Sequence, residues 1–220
     1  MWCMAELTPE YIERMEDVLH LYEKPFDPKE PVICLDEKSI QLLEDSRPVK
    51  SARPGRIGKQ DSEYVRRGTG NIFCGVEPQA GRHLTWVTKN RKANTFAKII
   101  GRIARAYPGL KTRHLVMDNL NTHKEKSLID YYGPRKGRKL WNSFTVHYTP
   151  KHGSWLNQAE IEIGLLSRQC LGKDRIASLK DLMRRAKAWN RKTNRKRIKI
   201  NWRFTTIKAR KTFNYYKDKN

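Results

Sequence analysis

A chain of 220 residues has room for one domain with a sizeable core, or at most a domain and a half. Its 46 Lys and Arg against 23 Asp and Glu leave a formal charge of +23 and a pI near 10.1, so the expected partner is a polyanion, nucleic acid before any other. No apolar run approaches the roughly 18 residues of a membrane span, and the first residues lack the basic-then-apolar pattern of a signal peptide. Cys3, Cys34, Cys74 and Cys170 show neither CxxC pairing nor metal-ligand spacing with the six histidines. These features argue against a bilayer protein, a disulfide scaffold and a zinc module, and point to reduced thiols in a cytoplasmic protein.

Thr8-Pro9-Glu10 has a capping hydroxyl, a proline at the first helical position and an acid in the first turn. Tyr11, Met15, Val18, Leu19 and Tyr22 share a face, so a helix runs to near Glu23. Pro25, Pro28 and Pro31 break it and deliver the chain to Val32-Ile33-Cys34-Leu35-Asp36-Glu37, whose unbroken apolar run predicts a strand buried on both faces and ending near Asp36. Residues 46–68 combine Pro48, Pro54, Gly55, Gly58 and Gly68 with seven Lys/Arg and no periodicity, as in a mobile basic loop. Asn71-Ile72-Phe73-Cys74-Gly75-Val76 and His83-Leu84-Thr85-Trp86-Val87-Thr88 flank Pro78-Gln79-Ala80-Gly81 as a hairpin that joins the first strand in an antiparallel trio. Phe96, Ile99, Ile100, Ile103 and Ala104 mark an amphipathic helix stopping at Pro108-Gly109.

His114-Leu115-Val116-Met117-Asp118 repeats the first strand's pattern, an apolar run closed by an aspartate. Thr122 with Glu125 has capping-box spacing for a helix toward Tyr132, ended by Gly133-Pro134. Arg135, Lys136, Arg138 and Lys139 read as a second basic loop before the β-prone Phe144-Thr145-Val146-His147-Tyr148. Ser154 can cap a helix carrying Leu156, Ala159, Ile163 and Leu166, and Ser178 with Asp181 starts another through Leu182, Met183, Ala186 and Trp189. Charge is uneven: residues 1–50 carry −6, leaving +29 on the rest, and from Arg184 onward 15 Lys/Arg face one acid, Asp218. Trp189, Trp202, Phe204, Phe213, Tyr215 and Tyr216 interleave with that basic stretch, which suits packing or base stacking better than a solvated tail. The chain divides into a helix and linker (1–30), a catalytic-sized domain (31–190) and a basic helical C-terminal extension (191–220).

An order of βββαβαβα with acids closing strands one and four is a ribonuclease H-like layout. It is an α/β fold with a five-stranded mixed sheet flanked by helices, the two acid-bearing strands side by side at its centre. Asp36 and Asp118 would then reach one ion, with a third acid from the later helix. Three converging carboxylates repel one another unless Mg²⁺ or Mn²⁺ neutralises them, and two such ions suit phosphodiester cleavage. Glu160 and Glu162 compete for the third place, since residues two apart on a helix point roughly 200° away from each other. Taking Leu156, Ala159, Ile163 and Leu166 as the buried stripe, Glu160 is expected at its edge, facing the ions, and Glu162 nearer the opposite side.

Cys34-Leu35-Asp36-Glu37, Met117-Asp118-Asn119-Leu120-Asn121-Thr122-His123 and His152-Gly153-Ser154-Trp155-Leu156-Asn157-Gln158-Ala159-Glu160 together resemble the catalytic core of bacterial insertion-sequence transposases of the mariner superfamily. The resemblance covers most of residues 30–170 in order and spacing. The third motif departs from the commoner Pro-Asp-Leu-Asn-Pro form by carrying Trp155 and Gln158. By this resemblance Asp36, Asp118 and Glu160 are the metal-binding acids, two Mg²⁺ or Mn²⁺ ions the cofactors, and double-stranded DNA at transposon ends and targets the substrate. It further implies a homodimer or higher assembly on DNA, in the bacterial cytoplasm at the nucleoid. Such enzymes usually carry helix-turn-helix domains ahead of the core, so a catalytic fragment or the second half of a split reading frame is expected.

The candidate DNA contacts are Lys38, Arg66, Arg67, Arg135, Lys136, Arg138, Lys139, Arg191, Arg195 and Lys196. The candidate accessory residues are Asn119, His123, Trp155 and Asn157. His123 either orients a phosphate or packs locally, Asn119 and Asn121 are turn formers or substrate contacts, and Trp155 packs the helix start or stacks on an unpaired base. Two other classes stay open: a ribonuclease H-like nuclease or resolvase without strand transfer, and an inert DNA-binding remnant.

Overall fold

The computed structural model describes residues 6–172 and 174–215. Cys3, Tyr216 and Asp218 lie outside them. The strands are β1 (Val32–Asp45), β2 (Tyr64–Glu77), β3 (Arg82–Thr88), β4 (His114–Met117) and β5 (Thr145–Tyr148), in the sheet order β3-β2-β1-β4-β5. β1 and β4, the two apolar runs closed by aspartates, are parallel neighbours at the centre. β2 and β3 extend the sheet antiparallel on one side, and β5 is parallel to β4 on the other.

Alternation along β1 sorts its side chains between two cores. Ile33 and Leu35 meet Phe73 and the apolar stripe of α2 (Ala93–Ala106), namely Phe96, Ile99, Ile100 and Ile103, with Leu128 of α3 (Glu125–Tyr132) beside them. Val32 and Cys34 meet Met15, Val18 and Leu19 of α1 (Pro9–Glu23), together with Leu156, just before α5 (Gln158–Leu166), and Ala159 in its first turn. A third cluster joins Leu42 and Ile72 to Leu166, Leu182 and Trp189, the last two on α6 (Leu179–Lys196). Each such fully buried side chain contributes roughly 1.5–3 kcal/mol. The remaining helices are α4 (Pro134–Trp141) and α7 (Thr206–Phe213). Among the described residues no helix is long and apolar enough to cross a membrane.

The start of α1 follows its sequence signals: the Thr8 hydroxyl accepts from the Tyr11 N–H and Pro9 opens the helix. At α6 the Ser178 hydroxyl likewise accepts from the Asp181 N–H. Other expectations need correction. β1 does not end at Asp36 but continues to Asp45, because its outer half pairs with β2 and needs only one buried face. Residues 64–68 belong to β2, so the basic loop is confined to 46–63, where bridges between Lys50 and Lys59 and between Arg53 and Arg56 form a small hairpin around Gly55. Thr122 does not cap α3, whose N-cap position is Lys124 without a side-chain bond. Ser154 opens a short 3₁₀ turn, Ser154–Leu156, and Asn157 caps α5.

Arg135, Lys136, Arg138 and Lys139 are not in a loop but on α4. The helix forms because Gly137, Leu140 and Trp141 supply one inward face, leaving the four cations outside. A Cβ on Gly137 would lie 2.6 Å from the Ile129 Cα and 2.7 Å from the Leu128 carbonyl carbon, backbone that cannot swing aside. Gly137→Ala is therefore expected to cost about 3 kcal/mol, measured as a lower urea midpoint. An unchanged midpoint would show that α4 is not seated on α3 as described.

Candidate active site

The pleat sends the adjacent carboxylates of β1 to opposite faces. Asp36 follows Cys34 to the side of α1 and α5, and Glu37 follows Leu35 to the side of α2 and α3. Asp118 is the first residue after β4, and because Cys34 pairs with Val116 it stands beside Asp36 across the β1/β4 boundary. Asn157 brings in the third acid. Its Nδ2 donates to the Leu35 carbonyl at 2.9 Å, its Oδ1 accepts from the Ala159 N–H at 3.1 Å, and its carbonyl accepts from the Glu160 N–H at 3.0 Å. One buried side chain thus caps α5 and ties it to β1 next to Asp36, leaving Glu160 exposed in the first turn.

Burial pushes the Asp36 carboxyl up to about 7. The charges of Glu37, Asp118 and Glu160 act in the same direction, against the Glu37 N–H that donates to its Oδ1 at 2.7 Å. The three acids therefore share one electrostatic neighbourhood. Among the described residues no three His, Cys, Asp or Glu groups stand at ligating separation. Of the three acids Asp118 lines a groove of ≈ 980 Å³ between α1, the Asp118 turn and residues 149–154. Exposed Asn119 lines it. So do His152, the first residue of the third motif, and Arg14 and Lys151, which the sequence did not single out. His152 holds a left-handed φ of 64°, an uncommon backbone for a residue with a Cβ.

Glu162 is where the sequence argument fails. It is not on the outer side of α5 but 5 % exposed, with its Oε2 2.7 Å from the Nε2 of His83, itself 2 % exposed. Trp189 packs edge-on to the His83 ring, and Asn194 exchanges two hydrogen bonds with the His83 backbone. α5 lies against β1 and β2 with α6 close by, so it buries more than one stripe.

His123 is 1 % exposed and lies between two carboxylates. Its Nδ1 is 2.6 Å from Asp118 Oδ1 and its Nε2 3.4 Å from Glu37 Oε2. Burial pulls the imidazole down, but the hydrogen bonds and charges of Asp118 and Glu37 win and push it up to about 9. With both nitrogens turned inward it has none for a phosphate. Glu37 was noticed in sequence only as the neighbour of Asp36, yet its side chain is 2 % exposed and also meets Arg91 at 3.5 Å. Trp155 is half-buried, edge-on to Phe204, with its Nε1 donating to the Tyr11 hydroxyl, so its ring serves packing.

Of the candidate DNA contacts, Lys38 lies along β1 on the Asp36 face and is partly covered. Arg66 and Arg67 are exposed on β2, with Arg67 paired to Glu44. Arg135, Lys136, Arg138 and Lys139 are exposed on α4, in the layer of α2 and α3. Arg191, Arg195 and Lys196 are exposed on α6, in the opposite layer. The cations thus flank the sheet on both faces rather than forming one patch.

A family model described as DDE superfamily endonuclease matches residues 31–183. No curated protein matches significantly. Among solved structures, the chain is similar to the Mos1 mariner paired end complex with Mn at 15% identity and a TM-score of 0.56, covering 90% of this chain and 61% of that one. It is similar to the Mos1 transposase paired-end complex with left transposon end at 14% identity and a TM-score of 0.57, over 90% and 61% of the two chains. The Mos1 strand transfer complex gives 14%, 0.55, 87% and 57%. The chain spans about three fifths of the length of these structures. At such identities the likeness is one of fold, the five-stranded ribonuclease H-like sheet with its flanking helices.

Proposed function

The chain belongs to the DDE superfamily endonucleases, and from that membership we propose that it is the catalytic core of a mariner-type transposase, with Asp36, Asp118 and Glu160 as the acids that cut and join DNA. The observation that supports this reading is that Asp36 and Asp118 close neighbouring central strands, with Asn157 tying the first turn of α5, and so Glu160, to β1 next to Asp36. The donor set fits Mg²⁺ or Mn²⁺: it is all carboxylate oxygen, and its mutual repulsion calls for a hard cation. When bound, two such ions supply charge neutralisation and an acidified water. The chain's own part is to hold the acids: the Glu37 N–H fixes Asp36, and Asn157 fixes the start of α5 and hence Glu160. In the first step a water oxygen bonds to phosphorus and a 3′ oxygen leaves. In the second, the oxygen of that 3′ hydroxyl bonds to a phosphorus of another duplex and gives up its proton, while the P–O bond to the 3′ oxygen of the target strand breaks and that oxygen leaves as a protonated 3′ hydroxyl. The proposed setting is a bacterial insertion sequence, with the protein acting on the nucleoid as a dimer or larger assembly.

An alkaline-denaturing gel of labelled duplex with Mn²⁺ tests the reading. Metal-dependent nicks that vanish in Asp118→Asn, and joined products longer than the input strand, are expected. Nicks without joining would leave a nuclease, and no nicks at all would leave an inert DNA-binding protein.

The charge predicts tight, largely sequence-independent duplex binding, with log K falling against log salt by about 0.9 per phosphate neutralised. Deleting the chain from Arg191 would remove Asn194 and α7 from the fold, so substitution is the cleaner test. Arg191→Gln, Arg195→Gln and Lys196→Gln together should reduce the slope by about 2 to 3. An unchanged slope in fluorescence anisotropy would assign the contacts to α4 and the 46–63 hairpin instead.

A further inference from the structure

We propose that His123 is a positioning residue that divides the two oxygens of Asp118, holding Oδ1 in the interior so that Oδ2 alone is offered to the metal. The inference rests on Asp118 being a metal ligand, as proposed above. Asp118 is the one acid of the three that no helix cap or backbone pairing orients, since it stands in the turn after β4. Its Oδ1 is fully buried and makes no hydrogen bond; the His123 Nδ1 lies 2.6 Å from it as an ion-pair contact and also meets the Asp118 backbone carbonyl at 3.3 Å. The side chain is nonetheless 40% exposed, so its open edge is the Oδ2 side, toward the groove it lines.

The imidazole that does this is itself immobilised. Phe96 stacks on the ring at 4.5 Å between centroids, and the Tyr148 hydroxyl donates to the His123 carbonyl at 2.7 Å. The His123 N–H donates to the Leu120 carbonyl at 2.9 Å, closing the turn that carries both residues. On the far side of the ring, Glu37 presents a buried Oε2 at 3.4 Å from Nε2. Glu37, His123 and Asp118 thus form a line from the interior of β1, through the ring, to the site. Adjacent positions on β1 feed the same centre from both faces of the sheet: Asp36 directly, Glu37 through His123. Outer partners that orient a ligand in this way typically change metal affinity by 10–100-fold when removed.

The test is Mn²⁺ binding by the DNA-free protein, read as free Mn²⁺ by electron paramagnetic resonance, with circular dichroism to establish folding. His123→Leu, which fills the space without a donor, should weaken Mn²⁺ binding by about tenfold. His123→Asn, whose amide nitrogen falls near the place of Nδ1, should recover most of it. Glu37→Gln, which touches only the Nε2 side, should weaken binding by a smaller factor and add little to His123→Leu. A merely structural His123 would rank Leu with or above Asn, and that order overturns the proposal. Should both His123 variants fail to fold, Glu37→Gln decides, with wild-type affinity counting against it. Asp118→Asn separates the two layers of argument: if it binds Mn²⁺ as wild type does, the reading of the site fails. If it binds poorly while His123→Leu binds normally, only the positioning role fails.

Discussion

Asp36→Asn should abolish DNA cleavage and, in the absence of metal, make the protein more stable. The loss of cleavage is expected to be at least about a thousandfold, roughly 4 kcal/mol of barrier, because the variant keeps the shape of a ligand without its charge. The gain in stability comes from the same charge. An ordinary aspartate ionises near 3.8, whereas burial and the carboxylates of Glu37, Asp118 and Glu160 push Asp36 up to about 7. A carboxyl raised on folding destabilises the native state as it ionises. The folded protein is thus unburdened below about pH 4, loses stability as pH rises to about 7, and carries the full penalty above that. Three pH units correspond to a few kcal/mol at most. Urea midpoints of wild type and variant should coincide at pH 4 and diverge by pH 7.5, and Mn²⁺ should close the gap from the wild-type side. A pH-independent difference, or nicking by the variant at the wild-type rate, would sink the assignment.

Glu160→Gln and Glu162→Gln should fail in opposite ways. Glu160 is exposed at the first turn of α5, so its substitution should shift stability by no more than about 0.5 kcal/mol while removing cleavage. Glu162 is locked to His83 inside the protein, and its amide replacement should cost about 1–3 kcal/mol while most cleavage survives below the new melting point. A gel and a urea titration on both variants decide it. If Glu162→Gln is stable and inactive while Glu160→Gln is active, α5 presents the other acid to the site.

What was legible in the sequence was whatever rests on unbroken local pattern. Val32 to Leu35 and His114 to Met117 read as buried strands because both their faces are covered, and the acids that follow mark the point where cover ends. The order of elements then implied that the two strands are neighbours. α4 was hidden because a helix needs only a narrow inward face, and Gly137, Leu140 and Trp141 are outnumbered by cations. The place of Glu162 was hidden for a different reason. On a helical wheel it lies nearer Ala159 and Glu160 nearer Ile163, by the same angle, so periodicity does not choose between them, and its partner His83 is 79 residues away. Glu37 was hidden likewise, since its partner arrives only when α2 and the Asp118 turn close over β1. Pairings between distant residues leave no periodic trace.

Glu16 of α1 is 2 % exposed and receives Arg210 of α7 through both Nε and Nη2, with the Tyr215 hydroxyl on the same carboxylate. Its consequence is temporal. A ribosome making this chain at 5–20 residues per second delivers α1 many seconds before Arg210. During that interval Arg210 and Tyr215 are not yet there to meet the Glu16 carboxylate. The α1 face thus gains its α7 cover late in synthesis, after all five strands of the sheet it packs on have been made.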